Sequence, residues 1–408
     1  MKTLVAFILV AAALLAGCGT PSPGPTATPT DQTVAATATN VIPTPAPTHT
    51  PTSTPTATPT PQPTSTPIHV PPTPTPTPIP PWDPGDYLVG AYYYGWYGHA
   101  GQWESGHTGT PSLGLYTSQS RDVIDTHLEW ARQSGIDFFL LSWWGPPGSE
   151  WPGDWCDSVI RRNFVENPSL PNIRFAILYE TTGRFQANLD IDHPANKATL
   201  LSDFDYLAQT YFSNPYYLRI NDRPVIVIYA SRIISGDEAG AVRDLREHIR
   251  ANYGVELYLI GDEVYWEAYY DNFLQYGLTW EHFDAVTAYS MWTDTSLVEG
   301  GFPAFLEQVQ IVYETWFRFA AEEGVDFIPN VMPGFDDRNL RPTRQENRVI
   351  HRSADGFREY VNIAKTYVDQ DISMLLVTSF NEWGEGTNIE PSQAEGSAYL
   401  DIVGDNLP

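Results

Sequence analysis

The sequence predicts an α/β protein: a (β/α)8 TIM-type barrel preceded by a disordered Thr/Pro-rich stalk. Three observations predict it. Composition divides the 408 residues near Trp82: the first 81 hold 20 of the 36 prolines, with only Lys2 and Asp31 as charges. The remainder is rich in Trp, Tyr and Phe and can bury a sizeable core. Within it, short apolar runs alternate with helical patterns, as in parallel α/β architectures. Eight such runs match a barrel with enlarged loops better than a doubly wound sheet, because none is followed by a Gly-rich phosphate turn.

At the amino end, Lys2 precedes an apolar stretch from Leu4 to Ala16, which is too short to span a bilayer and has the layout of a signal peptide. It closes on Leu15-Ala16-Gly17-Cys18, which resembles a bacterial lipobox, so Cys18 is the expected site of lipid attachment. Residues 1–18 are then a lipoprotein signal peptide. The expected location is the cell surface or periplasmic face, anchored to membrane. Residues 19–81 repeat Thr-Pro and Ser-Pro with almost nothing to bury. Such a linker stays extended, largely polyproline II, and its Thr and Ser are candidate O-glycosylation positions.

Residues 82–408 form the predicted catalytic domain. The expected strands are 88–94, 137–143, 174–179, 224–230, 256–260, 285–289, 326–331 and 373–380. Few charges interrupt them, as expected of strands buried on both faces. Ser120 to Gly135 reads as a helix with Val123, Ile124, Leu128 and Ala131 on one face, a Ser cap and a Gly stop. Phe305 to Gly324 repeats the pattern with Leu306, Val309, Tyr313, Trp316 and Ala320.

Nearly all of the net charge of −27 falls on this domain, which disfavours a nucleic-acid or anionic-lipid partner. Cys156 is its only cysteine and is expected in the core. His99, His107 and His282 are scattered, and His127 fits helix packing. No H-E-x-x-H, C-x-x-C or EF-hand pattern occurs, so neither a metal nor a cofactor is expected. G-x-S-x-G is also missing.

Active sites of such barrels lie at the carboxyl ends of the strands. Here those ends carry Tyr92-Tyr93-Tyr94-Gly95-Trp96-Tyr97, Ser142-Trp143-Trp144, Tyr179-Glu180, Gly261-Asp262-Glu263, Tyr289-Ser290-Met291-Trp292, Pro333-Gly334-Phe335-Asp336-Asp337 and Asn381-Glu382-Trp383-Gly384-Glu385. Aromatic faces stack on the C–H faces of sugars while carboxylates bind hydroxyls, so the set suits a carbohydrate cleft; individual aromatics could instead plug the barrel. Glu382 and Glu385, three residues apart after a strand, point the same way if the segment turns helically. Glycosidic cleavage needs such a pair, one carboxyl protonating the leaving oxygen and the other assisting attack at the anomeric carbon.

The block Thr378 to Glu390, with Gly90 to Tyr97 and Gly135 to Trp144, resembles family 99 glycoside hydrolases, the endo-α-1,2-mannosidases and mannanases. The resemblance runs over roughly Asp86 to Asn388. It implies a retaining hydrolase that acts on oligosaccharides or polysaccharides, with the sugar's own 2-hydroxyl as nucleophile. Glu382 would take the proton of that hydroxyl, and Glu385 would serve as acid, then base. Tyr94, Glu180, Tyr289 and either Trp143 or Trp144 are the implied sugar-contacting residues, and Trp383 is a further substrate-binding candidate. One departure is Gly384, where the family usually carries His. Two other functions fit the same chain: a non-catalytic surface glycan-binding lipoprotein, and a polysaccharide-assembly enzyme of the same clan.

Overall fold

The computed structural model describes residues 87–99, 101–167, 173–264, 282–290, 300–344, 346 and 349–407. The expected signal peptide, Cys18 and the Thr/Pro-rich segment lie outside the described residues, as do Met291 and Trp292.

The eight expected strands all form, with ends shifted by three residues at most. They are β1 Leu88–Tyr93, β2 Phe138–Trp143, β3 Arg174–Tyr179, β4 Arg223–Ile228, β5 Tyr258–Asp262, β6 Ala285–Thr287, β7 and β8 Met374–Val377. β7 has two segments, Asp326–Ile328 and Asn330–Val331, separated by Pro329. Each strand pairs in parallel with the next: the first segment of β7 pairs with β6, the second with β8, and β8 with β1. The barrel therefore closes within β7. Pro329 has no amide hydrogen to give a neighbour, but its carbonyl accepts the Leu376 N–H at 3.0 Å.

Side chains alternate between two apolar layers. Tyr92, Leu140, Leu178, Val227, Ile260 and Leu376 fill the barrel interior. Phe139, Leu141, Ile177, Ile226, Leu259 and Leu375 pack outward under the helices. Both faces being dry explains why the strands read as unbroken apolar runs.

Among the described residues, the α-helices of eight residues or more are α1 Arg121–Gln133, α2 Gly153–Ile160, α3 Pro194–Thr210, α4 Glu238–Tyr253, α5 Gly301–Glu323, α6 Ala354–Thr366 and α7 Ala398–Asn406. α1 buries Ile124, His127, Leu128 and Ala131; Ser120 stands at its amino end, but its side chain makes no capping hydrogen bond. α5 buries the predicted stripe, Leu306, Val309, Tyr313, Trp316 and Ala320, and stops at Gly324 in the left-handed conformation (φ 71°).

Candidate active site

The loop after β8 is a buckle closed at its base. Ser379 N–H donates to the Thr387 carbonyl at 2.9 Å, and Ile389 N–H donates to the Ser379 carbonyl at 2.9 Å. Inside the buckle the chain turns without forming a helix. Ser379 Oγ accepts the Glu382 N–H, and Glu382 Oε1 accepts the Gly384 N–H, both at 2.8 Å. Asn381 clamps the loop to the end of β1: its Oδ1 accepts the Tyr94 N–H at 2.8 Å and its Nδ2 donates to the Tyr94 carbonyl at 2.9 Å. Glu382 is buried and its Oε2 has no hydrogen-bond partner. A buried carboxylate oxygen left unpaired is costly, and a sugar hydroxyl would satisfy it.

Groups from the other strand ends converge on this pair. Tyr289, after β6, donates its hydroxyl to Glu385 Oε2 at 2.8 Å, and its own N–H is held by Asp262 Oδ1 at 2.9 Å. Glu180, after β3, accepts Ser142 Oγ–H at 2.6 Å, and Ser142 Oγ accepts the Trp144 indole N–H at 2.7 Å. The Trp144 ring packs against Gly183, where a β-carbon would stand 2.2 Å from it. Tyr94 stacks on Trp96, with ring centroids 4.6 Å apart, and meets Tyr289 edge-on.

Electrostatics bind these groups into one unit. Burial is the largest influence on Glu382, whose carboxyl it pushes well above the usual range. The charges of Glu385 and Glu180 add to the effect, while the Gly384 and Glu385 N–H groups oppose it. Glu385 is pushed up to about 7, chiefly by burial and further by Asp337; the Tyr289 hydrogen bond, Arg341 and Arg344 pull it down. Glu180 is pushed up to about 8 by burial and by the charges of Asp262 and Glu385, against its bond to Ser142. Two carboxyls that raise each other's pKa do not both ionise readily, so near neutrality one can be an acid while the other is a base.

The structure thus brings together Glu382, Glu385, Glu180, Tyr94, Tyr289 and the half-buried Trp144. Trp143 and Trp383 are corrections. Trp143 occupies an outward position of β2, is fully buried, donates its indole N–H to Asp157 at 3.0 Å and stacks on Tyr179 and Tyr206. Strand alternation sends Ser142 inward and Trp143 away from the mouth. Trp383 is 1% exposed, with its indole turned down onto Glu390. Neither presents a face to a sugar.

Sequence reasoning passed over Tyr229 beyond β4, which sits edge-on to Tyr289 within the field of Glu180 and Glu385. It also passed over the tie made by Asp262, whose Oδ2 accepts the Ala230 N–H and pairs with Arg232. A polar residue closing an apolar run was the available signal in both cases. Gly384 has a local reason: a β-carbon there would stand 2.7 Å from Glu382 Oε1 and from Leu340. Among the described residues, only Asp326, Asp369 and Asp371 gather three metal-type ligands, and Asp326 opens β7 at the opposite end of the barrel.

Residues 189–403, more than half of the chain, match the family described as glycosyltransferase WbsX. The chain belongs to that family. This WbsX-family chain is also 23% identical over 374 residues to the glycoprotein endo-alpha-1,2-mannosidase of Rattus norvegicus, which covers 78% of this chain and 71% of the relative. Two solved structures share the fold. A glycoside hydrolase-like protein superposes with TM-score 0.66 at 23% identity, covering 82% of this chain and 97% of that one. A family 99 endo-α-mannosidase from Bacteroides thetaiotaomicron gives TM-score 0.59 at 19% identity, covering 78% and 96%. The resemblance to family 99 read from the sequence thus agrees with both kinds of comparison, and the barrel is the fold these proteins share with the WbsX-family chain.

Proposed function

We propose that the chain is a retaining glycoside hydrolase acting within α-mannoside glycans. The observation that carries this reading is the pair Glu382, buried, and Glu385, half-buried, at the carboxyl ends of the strands, both held above the usual carboxylate range beside Tyr94 and Tyr289. The endo-α-mannosidase names of the similar proteins support the substrate class.

In the proposed mechanism a sugar 2-hydroxyl donates to Glu382 Oε2, which favours the ionised form of Glu382 and leaves the shared proton on Glu385. Glu385 gives that proton to the glycosidic oxygen as the bond to the anomeric carbon breaks. Glu382 removes the 2-hydroxyl proton, and O2 closes on the anomeric carbon to form a 1,2-anhydro sugar. Water then opens this intermediate at the anomeric carbon, losing a proton to Glu385, while Glu382 returns its proton to O2. Two inversions give net retention.

The family description favours a second reading, glycosyl transfer. The same carboxylates would serve if a sugar hydroxyl replaced water in the second step. The export proposed below would part the chain from cytosolic sugar-nucleotide donors, which counts against them. We also propose export and anchoring through Cys18, on the strength of the lipobox-like run at 15–18. Incubation with α-mannans, in the presence and absence of acceptor sugars, separates the readings: reducing ends released without acceptor support hydrolysis, and elongated acceptors alone support transfer.

A further inference from the structure

Behind the proposed catalytic loop lies a second carboxylate that the mechanism does not use. The Glu390 side chain is fully buried, and three donors converge on it from three parts of the fold. Its Oε2 accepts the Trp383 indole N–H and the Tyr116 hydroxyl, both at 2.8 Å. Its Oε1 faces His127 Nε2 of α1 at 3.2 Å, and the His127 side chain is equally buried. The other His127 nitrogen, Nδ1, lies 2.9 Å from the Tyr93 hydroxyl at the end of β1. A Tyr hydroxyl that donates to Nδ1 leaves the hydrogen on Nε2, directed at Glu390. Asn381 Nδ2 donates to the Tyr116 oxygen at 3.3 Å, consistent with the Tyr116 hydrogen pointing to Glu390. Every group on Glu390 is therefore a donor, which an acceptor-only carboxylate matches and an amide cannot.

Trp383 is one of the two residues between Glu382 and Glu385, and it is gripped at both ends. Its ring is held by Glu390, its N–H donates to the Tyr97 hydroxyl at 3.0 Å, and that hydroxyl donates to the Asn381 carbonyl at 2.8 Å. The Glu390 N–H donates to the Phe380 carbonyl at 2.7 Å, which fastens the Glu390 backbone to the base of the loop. The backbone of residues 383 and 384 sets how Glu382 and Glu385 face each other. A small rotation of Trp383 would change their separation, and with it both the mutual charge effect and the aim at the sugar.

We infer that Glu390 is a positioning residue: through Trp383 it fixes the mutual geometry of Glu382 and Glu385, with His127 and Tyr116 holding it in place. The inference rests on the roles proposed for that pair. Glu390→Gln keeps shape but presents its own N–H to one of the three donors. It should lower kcat about tenfold or more, change KM less than about threefold and displace the limbs of the pH–rate profile. Trp383→Phe removes the indole N–H, and the double variant should be no slower than the slower single one, since both break one linkage. A lower Tm with kcat per folded molecule and pH limbs unchanged, or two losses that multiply, overturns the inference. If Glu390→Gln does not fold, Tyr116→Phe takes its place: a kcat loss with shifted limbs supports the inference, and an unshifted profile overturns it. If the wild-type chain turns over no glycan, the proposed activity falls. The inference is then decided by 13C NMR titration of the Glu382 and Glu385 carboxyls, which Glu390→Gln must shift; unmoved titrations overturn it.

Discussion

The Tyr289 hydroxyl donates to Glu385 Oε2 at 2.8 Å, and this bond favours the ionised carboxylate. It opposes the burial that pushes Glu385 up to about 7. Tyr289→Phe removes the donor, so Glu385 should hold its proton to higher pH. With Glu385 as the acid, the alkaline limb of the pH–rate profile should move upward while kcat falls about tenfold. A limb that stays in place or moves downward contradicts the assignment of Glu385 as the acid.

Glu180 gives a stability test. Its carboxyl is raised from an ordinary 4.5 to about 8, so between those values the folded protein holds a proton that the unfolded chain releases. The stabilisation is complete below the lower value and is lost as pH rises through the upper one. Glu180→Gln stays neutral throughout. It should exceed the wild type by about 1–3 kcal/mol above pH 8 and lose that advantage near pH 4. Chemical denaturation at both pH values checks it, and an advantage that grows on acidification has the wrong sign.

The two neighbouring tryptophans should separate cleanly. Trp143→Ala empties a fully buried position and should cost about 3–5 kcal/mol of stability, with KM little changed in whatever folds. Trp144→Ala, at the half-buried mouth, should cost distinctly less stability and raise KM about tenfold. Melting and kinetics on the same preparations decide between them. The reverse pattern contradicts the placement of the mouth.

Anchoring is tested by fractionation. If Cys18 carries lipid, Cys18→Ser should move the protein from the membrane fraction to the medium or periplasm, since acyl chains contribute about 0.8 kcal/mol per buried CH₂. Unchanged partition would mean that Cys18 carries no anchor.

The barrel was legible because strands dry on both faces leave unbroken apolar runs, and the eight runs 88–94 to 373–380 each became a strand. The place of Glu382 and Glu385 beyond β8 was legible because they follow the last run closely. Which aromatics turn toward the strand ends was not, because that depends on strand phase. Trp143 and Trp144 look alike in sequence, yet one residue of alternation turns the first under the helices and leaves the second at the mouth. Trp383 was misleading for a related reason: its indole partner, Glu390, lies across the buckle and becomes its neighbour only when the loop closes. The cap at Ser120 was expected from residue type, and its hydroxyl makes no such bond.

The central claim is that Glu382 and Glu385 cleave a glycosidic bond with retention. Its most direct test is 1H NMR of the first product formed from an α-1,2-linked manno-oligosaccharide by the wild type, Glu385→Gln and Glu382→Gln. The wild type should release the α-anomer first. Glu385→Gln should lose about 10²–10⁴-fold on this substrate but keep activity on an aryl mannoside whose leaving group needs no proton, while Glu382→Gln should lose both. Wild-type protein that releases no sugar, a β-anomer formed first, or variants within tenfold of wild type would contradict it.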